Sequence, residues 1–208
     1  MKISGKEKKI KAVIFDWGGV LIDNPAPGLL KYCSQEIGVS RIKLASIFSR
    51  LKDPFQKGTL PEKSLWEKIR RDMNVSEETV NCIWGNAFRE VYSEKKEVFS
   101  LVEALQKSGY VTAILSNTEL SAVKFFEEKK YSMFDVKIFS CLEKTIKPEP
   151  LIYKITLDRL KLDPAECLFI DDKKINVSAA KKAGMKAILF RNVRQLKKNL
   201  RAYSVSWD

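Results

Sequence analysis

Apolar residues fall along this chain in two different rhythms. Three short runs, Ala12-Val13-Ile14-Phe15, Val111-Thr112-Ala113-Ile114-Leu115 and Cys167-Leu168-Phe169-Ile170, read as strands of a parallel sheet covered on both faces. From about residue 24 to 92 no such run occurs. Residues 28–37, 40–51, 61–73 and 76–92 instead carry apolar side chains at three- and four-residue spacings, which predicts helices. Asn24-Pro25-Ala26-Pro27-Gly28, Asp53-Pro54, Gly58 and Asn74 punctuate them, and Ser76 with Thr79 reads as a helix entry. The pattern predicts an α/β fold with an all-helical insert after the first strand.

Chemistry-bearing residues stand where these strands end. Asp16 closes the first run and is followed by Trp17-Gly18-Gly19, a tight turn in which main-chain groups stay open to an anion or a metal. Ligands of open α/β sheets bind just beyond the carboxyl ends of the strands. The second run ends in Ser116-Asn117-Thr118, with a hydroxyl and an amide able to hold a phosphate oxygen. The third ends in Asp171-Asp172, whose adjacent carboxylates repel unless a cation or a proton lies between them. Lys147 precedes Pro148-Glu149-Pro150, a helix start. Each feature alone has a plainer role: an Asp-Gly turn, a helix cap, a solvated acidic turn, a surface lysine. Together they form a charge set suited to Mg²⁺ and a phosphoryl group.

The order FDWGGVL, LSNT, KPEP and FIDDKKIN followed by AAKKAGM resembles the four motifs of the haloacid dehalogenase (HAD) superfamily of hydrolases. Within it, the chain is most similar to sugar-phosphate phosphatases of the α-D-glucose-1-phosphate phosphatase type. The resemblance implies a Rossmann-like three-layer α/β/α core with a mostly parallel sheet, built from residues 1–23 and 93–208. It also implies a small all-helical cap, residues 24–92, that closes over the site and selects the substrate. The cap aromatics Phe48, Phe55, Trp66 and Trp84 are expected in its core rather than in a pocket.

The resemblance also implies roles. Asp16 is the expected nucleophile, forming an aspartyl-phosphate. Ser116, with backbone help from Asn117, holds the transferred phosphoryl group. Lys147 neutralises charge on nucleophile and phosphate. Asp16, Asp172, Asp171 and the backbone carbonyl of Gly18 are the expected Mg²⁺ ligands, Asp172 being the firmer of the adjacent pair, and Asn176 falls where a further acidic residue is often found.

Gly18 departs from the family pattern, because phosphatases of this superfamily usually place a second aspartate there to protonate the leaving alcohol and activate water. Such proton transfer contributes roughly 10²–10⁴-fold. The glucose-1-phosphate phosphatase type also carries glycine at this place. Asp23 and Glu119 are the nearest substitutes in sequence, and both read as solvated loop positions.

Composition narrows the chemistry. The 208 residues contain no histidine, so acid-base work falls to carboxylates. The formal net charge of +12 is spread along the chain, with modest clusters over residues 2–11 and 191–201. No nucleic-acid-binding signature accompanies it, so solvated helix faces are the better reading than a nucleic-acid partner. Cys33, Cys82, Cys141 and Cys167 form no close pair and read as reduced thiols of a cytoplasmic protein. The first apolar stretch is too short for a signal-peptide core and is interrupted by Asp16, and no segment is long enough to span a membrane. The motifs and the resemblance together predict a Mg²⁺-dependent phosphatase-like hydrolase of a small phosphorylated metabolite. Its rivals are a catalytically weak binding protein of the same fold and a metal-free 2-haloacid dehalogenase.

Overall fold

The computed structural model describes residues 8–75 and 83–207. A five-stranded sheet lies at its centre, formed by β1 (Ala12–Phe15), β2 (Val111–Ser116), β3 (Val136–Phe139), β4 (Cys167–Asp171) and β5 (Lys186–Leu189) in the order β3-β2-β1-β4-β5. All four pairings are parallel. Phe15 is in register with both Ile114 and Ile170, so the residues that follow bring Asp16, Ser116 and Asp171 to one edge of the sheet.

Alternation along β1 divides the core in two, as a strand's period of two requires. Val13 and Phe15 join one hydrophobic cluster with α5 (Lys96–Lys107), α6 (Leu120–Glu128) and α10 (Val193–Ala202). Ala12 and Ile14 face a second cluster with α8 (Pro150–Leu160) and α9 (Lys174–Lys182). The result is three layers, helix-sheet-helix, as expected for an α/β core.

Two strands escaped the sequence pattern. β3 and β5 lie at the sheet edges, and Lys137 and Lys186 interrupt or open their apolar runs. Edge strands tolerate such residues because part of each faces water.

Between β1 and α5 lie α1 (Ala26–Glu36), α2 (Arg41–Gln56), α3 (Glu62–Met73) and α4 (Ile83–Val91). The Ser76/Thr79 entry falls outside the described residues. Asp53-Pro54, expected to break the chain, instead lies inside α2, which runs on to Gln56. Buried Phe55, packed edge-on against Phe48 at 6.3 Å and Trp84 at 5.4 Å, rewards the continued helix more than the proline penalises its last turn. The insert shares the first hydrophobic cluster. Trp17, next to Asp16 in the chain, packs against Phe88 of α4 at 5.1 Å and Phe126 of α6 at 5.2 Å.

Candidate active site

Asp16 follows the end of β1, and its amide donates to the Ile170 carbonyl at 2.8 Å, extending the strand pairing by one residue. The Trp17 amide donates to Asp16 Oδ1 at 2.7 Å. The Trp17 carbonyl then accepts from the amides of Val20, Leu21 and Ile22, which folds the chain back across the strand end. Gly19 makes this turn with φ of +92°, and a Cβ there would lie 2.5 Å from Asp172 Oδ2. Glycine is thus required twice, by conformation and by the closeness of the carboxylate.

Lys147 is 3% exposed, far from the surface position its residue type suggests. Its ammonium meets Asp16 Oδ1 at 2.7 Å, Asp171 Oδ2 at 2.8 Å and the Leu115 carbonyl at 2.8 Å, using all three hydrogens. Burial favours the neutral amine, yet the two carboxylates outweigh it and hold the pKa above the ordinary lysine value. The lysine is fixed through its backbone. Lys147 N–H donates to Asn117 Oδ1, and Asn117 Nδ2 donates to the Lys147 carbonyl, both at 2.8 Å. The Asn117 side chain is fully engaged in this pairing rather than in capping a helix.

Asp171 and Asp172 differ sharply. Asp171, 0% exposed, is no solvated turn. Its carboxylate accepts from Lys147, from the Lys173 amide at 2.8 Å and from Asn176 Nδ2 at 3.1 and 3.0 Å. Burial alone would raise its pKa, and these donors, Lys147 foremost, bring it below the usual carboxylate value. Asp172 is half-buried, and its Oδ1 is buried without a hydrogen-bond partner. Asp16, Asp171 and Asp172 each offer an oxygen within 4.8 Å of the others. One ammonium among three carboxylates leaves an excess of negative charge and one unsatisfied acceptor, which a divalent cation with oxygen ligands would fit.

Burial, opposed by Lys147 and reinforced by Asp171, pushes the Asp16 carboxyl up to about 7. Both of its short contacts fall on Oδ1. Oδ2 accepts no hydrogen bond from a described residue.

A cavity of about 110 Å³ opens at this edge. Asp16, Gly18, Ser116, Asn117, Lys147 and Asn176 form its floor, and Phe48, Gln56, Trp84 and Phe88 from the insert form its far wall. Phe48 and Trp84, expected only in the insert's core, are buried and also face the cavity, whereas Phe55 and Trp66 are buried outside its lining. Trp17 also lines the cavity, and among the described residues its indole N–H has no acceptor.

A haloacid dehalogenase-like hydrolase family model matches residues 10–184. The chain belongs to this HAD family. Among its relatives, mouse acyl-CoA dehydrogenase family member 10 is 30% identical over 192 residues, which are 87% of this chain and 18% of that protein. This chain therefore spans less than a fifth of that relative. The phosphorylated carbohydrates phosphatase of Thermotoga maritima is 26% identical over 183 residues, covering 86% of this chain and 84% of that one. A HAD family enzyme from Bacteroides thetaiotaomicron, crystallised with magnesium and inorganic phosphate, shares the fold at a TM-score of 0.73 and 24% identity, covering 90% of this chain and 98% of that chain.

The two substitute acids expected from this HAD sequence part company in the structure. Asp23 is exposed and ion-paired with Lys95 at 2.6 Å, as a solvated loop residue should be. Glu119, expected to be solvated as well, is 4% exposed and lines the cavity. The continuation of α2 past Pro54 explains the difference, because it brings Gln56 over Glu119, where Nε2 donates to Oε1 at 3.1 Å. Among the described residues no helix is long and apolar enough to cross a membrane.

Proposed function

We propose that this chain is a Mg²⁺-dependent phosphatase-like hydrolase that acts on a small phosphorylated metabolite through an aspartyl-phosphate on Asp16. The observation that carries this reading is the junction of Lys147 with Asp16 and Asp171 beside the unpartnered Asp172 Oδ1. Asp16 would attack phosphorus through Oδ2, the oxygen its neighbours leave free. Lys147 would hold Oδ1 and offset the phosphoryl charge, while the Ser116 hydroxyl and the Asn117 backbone receive phosphoryl oxygens. Asp16, Asp171, Asp172 and the Gly18 carbonyl are the residues that would hold Mg²⁺. When bound, the ion would neutralise charge developing on the phosphoryl oxygens.

Residues 24–92 serve in this reading as a cap over a core formed by residues 1–23 and 93–208. A cavity of about 110 Å³ favours a compact substrate, since typical small-molecule pockets run to about 300–1,000 Å³. The Thermotoga relative, named for phosphorylated carbohydrates, makes sugar phosphates the first class to assay. The magnesium and phosphate held by the Bacteroides enzyme support the same chemistry. Buried free thiols at Cys33, Cys141 and Cys167 suit a reducing compartment such as the cytoplasm.

Phosphate release from a panel of sugar phosphates, nucleotides and phosphoglycolate, with and without EDTA, tests the proposal. Mg²⁺-dependent release from at least one small ester is expected. Binding without turnover would point to the non-catalytic reading, and EDTA-insensitive turnover of a 2-haloacid to dehalogenase chemistry.

A further inference from the structure

Resting on the phosphatase reading above, we propose that Glu119 supplies the proton transfer for which Gly18 has no side chain. Asp16 and Glu119 are the acidic residues in the lining of the cavity. Histidine is absent from the chain and tyrosine from the cavity wall; of the lysines in the lining, Lys147 is fully engaged by two carboxylates and a carbonyl, while Lys52, 3.8 Å from Asp53, and Lys173 are exposed to solvent. Asp23 is tied to Lys95 at 2.6 Å and lies outside the lining. Glu119 therefore stands alone as a carboxyl acid that faces the substrate space and is not the nucleophile.

Its setting suits the role. Glu119 leads into α6 and is 4% exposed, and it accepts a hydrogen bond from the neutral amide of Gln56. Burial holds its carboxyl above the ordinary glutamate pKa, with Glu62 of α3 adding to the shift and Gln56 and Trp84 opposing it. A carboxyl held toward its protonated form can act as a donor.

In the first step the Asp16 Oδ2–P bond forms and the bond from phosphorus to the leaving oxygen breaks, while the Glu119 proton passes to that oxygen. The products are the alcohol, an aspartyl-phosphate and a Glu119 carboxylate. In the second, water attacks phosphorus, its proton returns to Glu119, and the Asp16–phosphate bond breaks to release inorganic phosphate. Both residues end as they began.

The test compares Glu119→Gln with wild type by rapid quench, using p-nitrophenyl phosphate and a primary alkyl phosphate. Nitrophenolate leaves without a proton, so its burst should remain within about threefold of wild type, whereas phosphoryl transfer from the alkyl ester should slow by roughly 10²-fold or more. Hydrolysis of the phosphoenzyme should slow as well, so labelled Asp16 accumulates. Asp23→Asn should behave as wild type.

Equal slowing for both esters, or unchanged rates for both, would overturn the assignment. Should the glutamine variant fail to fold, Glu119→Asp withdraws the carboxyl by one methylene and is read the same way, with selective loss on the alkyl ester expected. A wild-type enzyme that forms no phosphoenzyme with either ester would overturn the phosphatase reading itself. A wild-type phosphoenzyme with no leaving-group dependence at Glu119 overturns only the assignment of this residue.

Discussion

Asn117 and Lys147, thirty positions apart in sequence, clasp each other through two reciprocal hydrogen bonds of 2.8 Å between an amide side chain and a backbone. This clasp ties the loop after α7 (Ser140–Glu143) to the end of β2 and so sets where the ammonium stands. Asn117→Ala leaves a backbone donor and acceptor unmet, at a cost of about 1–3 kcal/mol each when buried. Displacement of a positioning group by an ångström can lower turnover by roughly 10²-fold. We expect kcat to fall on that scale with a modest loss of melting temperature. An unchanged kcat in a folded variant would show that Lys147 does not need the clasp.

Asp16→Asn isolates nucleophilicity from packing. The amide keeps the shape of the side chain, and Lys147 retains Asp171 and the Leu115 carbonyl. Phosphate release should fall below detection while the circular dichroism spectrum stays that of wild type. Turnover near wild type would exclude Asp16 as the attacking group.

The parts of the site that follow a strand end were legible because their signal is local. An aliphatic run announces a buried strand, and Asp16, Ser116 and Asp171 each stand at the close of one. Parallel pairing then brings the three together whatever the loops between them do. Glu119 carried no such signal, since its burial depends on Gln56, 63 residues earlier, reaching it through a helix that continues past a proline. The clasp of Asn117 on Lys147 was hidden for the same reason: hydrogen-bond partners far apart in sequence leave no periodicity. β3 and β5 were lost to their lysines, and the second duty of Phe48 and Trp84 to the fact that a buried ring and a cavity wall share one composition.

Two glycines with positive φ offer a matched pair. At Gly38, φ is +65° and a Cβ would meet nothing within 4 Å, so Gly38→Ala should cost only backbone strain of about 1–2 kcal/mol. At Gly19 the same change adds a 2.5 Å clash with Asp172 Oδ2. Gly19→Ala should therefore cost more stability and abolish the thermal shift produced by Mg²⁺, which Gly38→Ala should preserve. Differential scanning fluorimetry with and without Mg²⁺ reads both effects. Retention of the full shift by Gly19→Ala would remove Asp172 from the metal site.

The last prediction couples the metal to pH. Burial, with Lys147 opposing and Asp171 adding, raises the folded Asp16 carboxyl from 3.8 to about 7, so the metal-free fold holds a proton there that the unfolded chain releases. Between pH 4 and about 7 this group makes the metal-free protein less stable as pH rises, because the folded state binds more protons than the unfolded one. Asp171, shifted downward, stays ionised in the fold and opposes this slope only near pH 4, where its unfolded carboxyl still binds protons. Mg²⁺ binding to an ionised Asp16 must displace the proton below pH 7. One pH unit below the folded pKa, competition weakens apparent affinity about tenfold, or ~1.4 kcal/mol. At a hundredfold excess over Kd the metal stabilises by about 2.7 kcal/mol, and a chain of this length shifts by roughly 2–4 °C per kcal/mol. The Mg²⁺-induced rise in Tm should accordingly be about 5–10 °C at pH 8 and near half of that at pH 6. In Asp16→Asn, which has no proton to displace at that position, any remaining rise should differ less between the two pH values than in wild type, with burial of Asp172, which raises its carboxyl, the remaining source of pH dependence. A wild-type rise that does not change between pH 6 and pH 8 would place the ion away from Asp16.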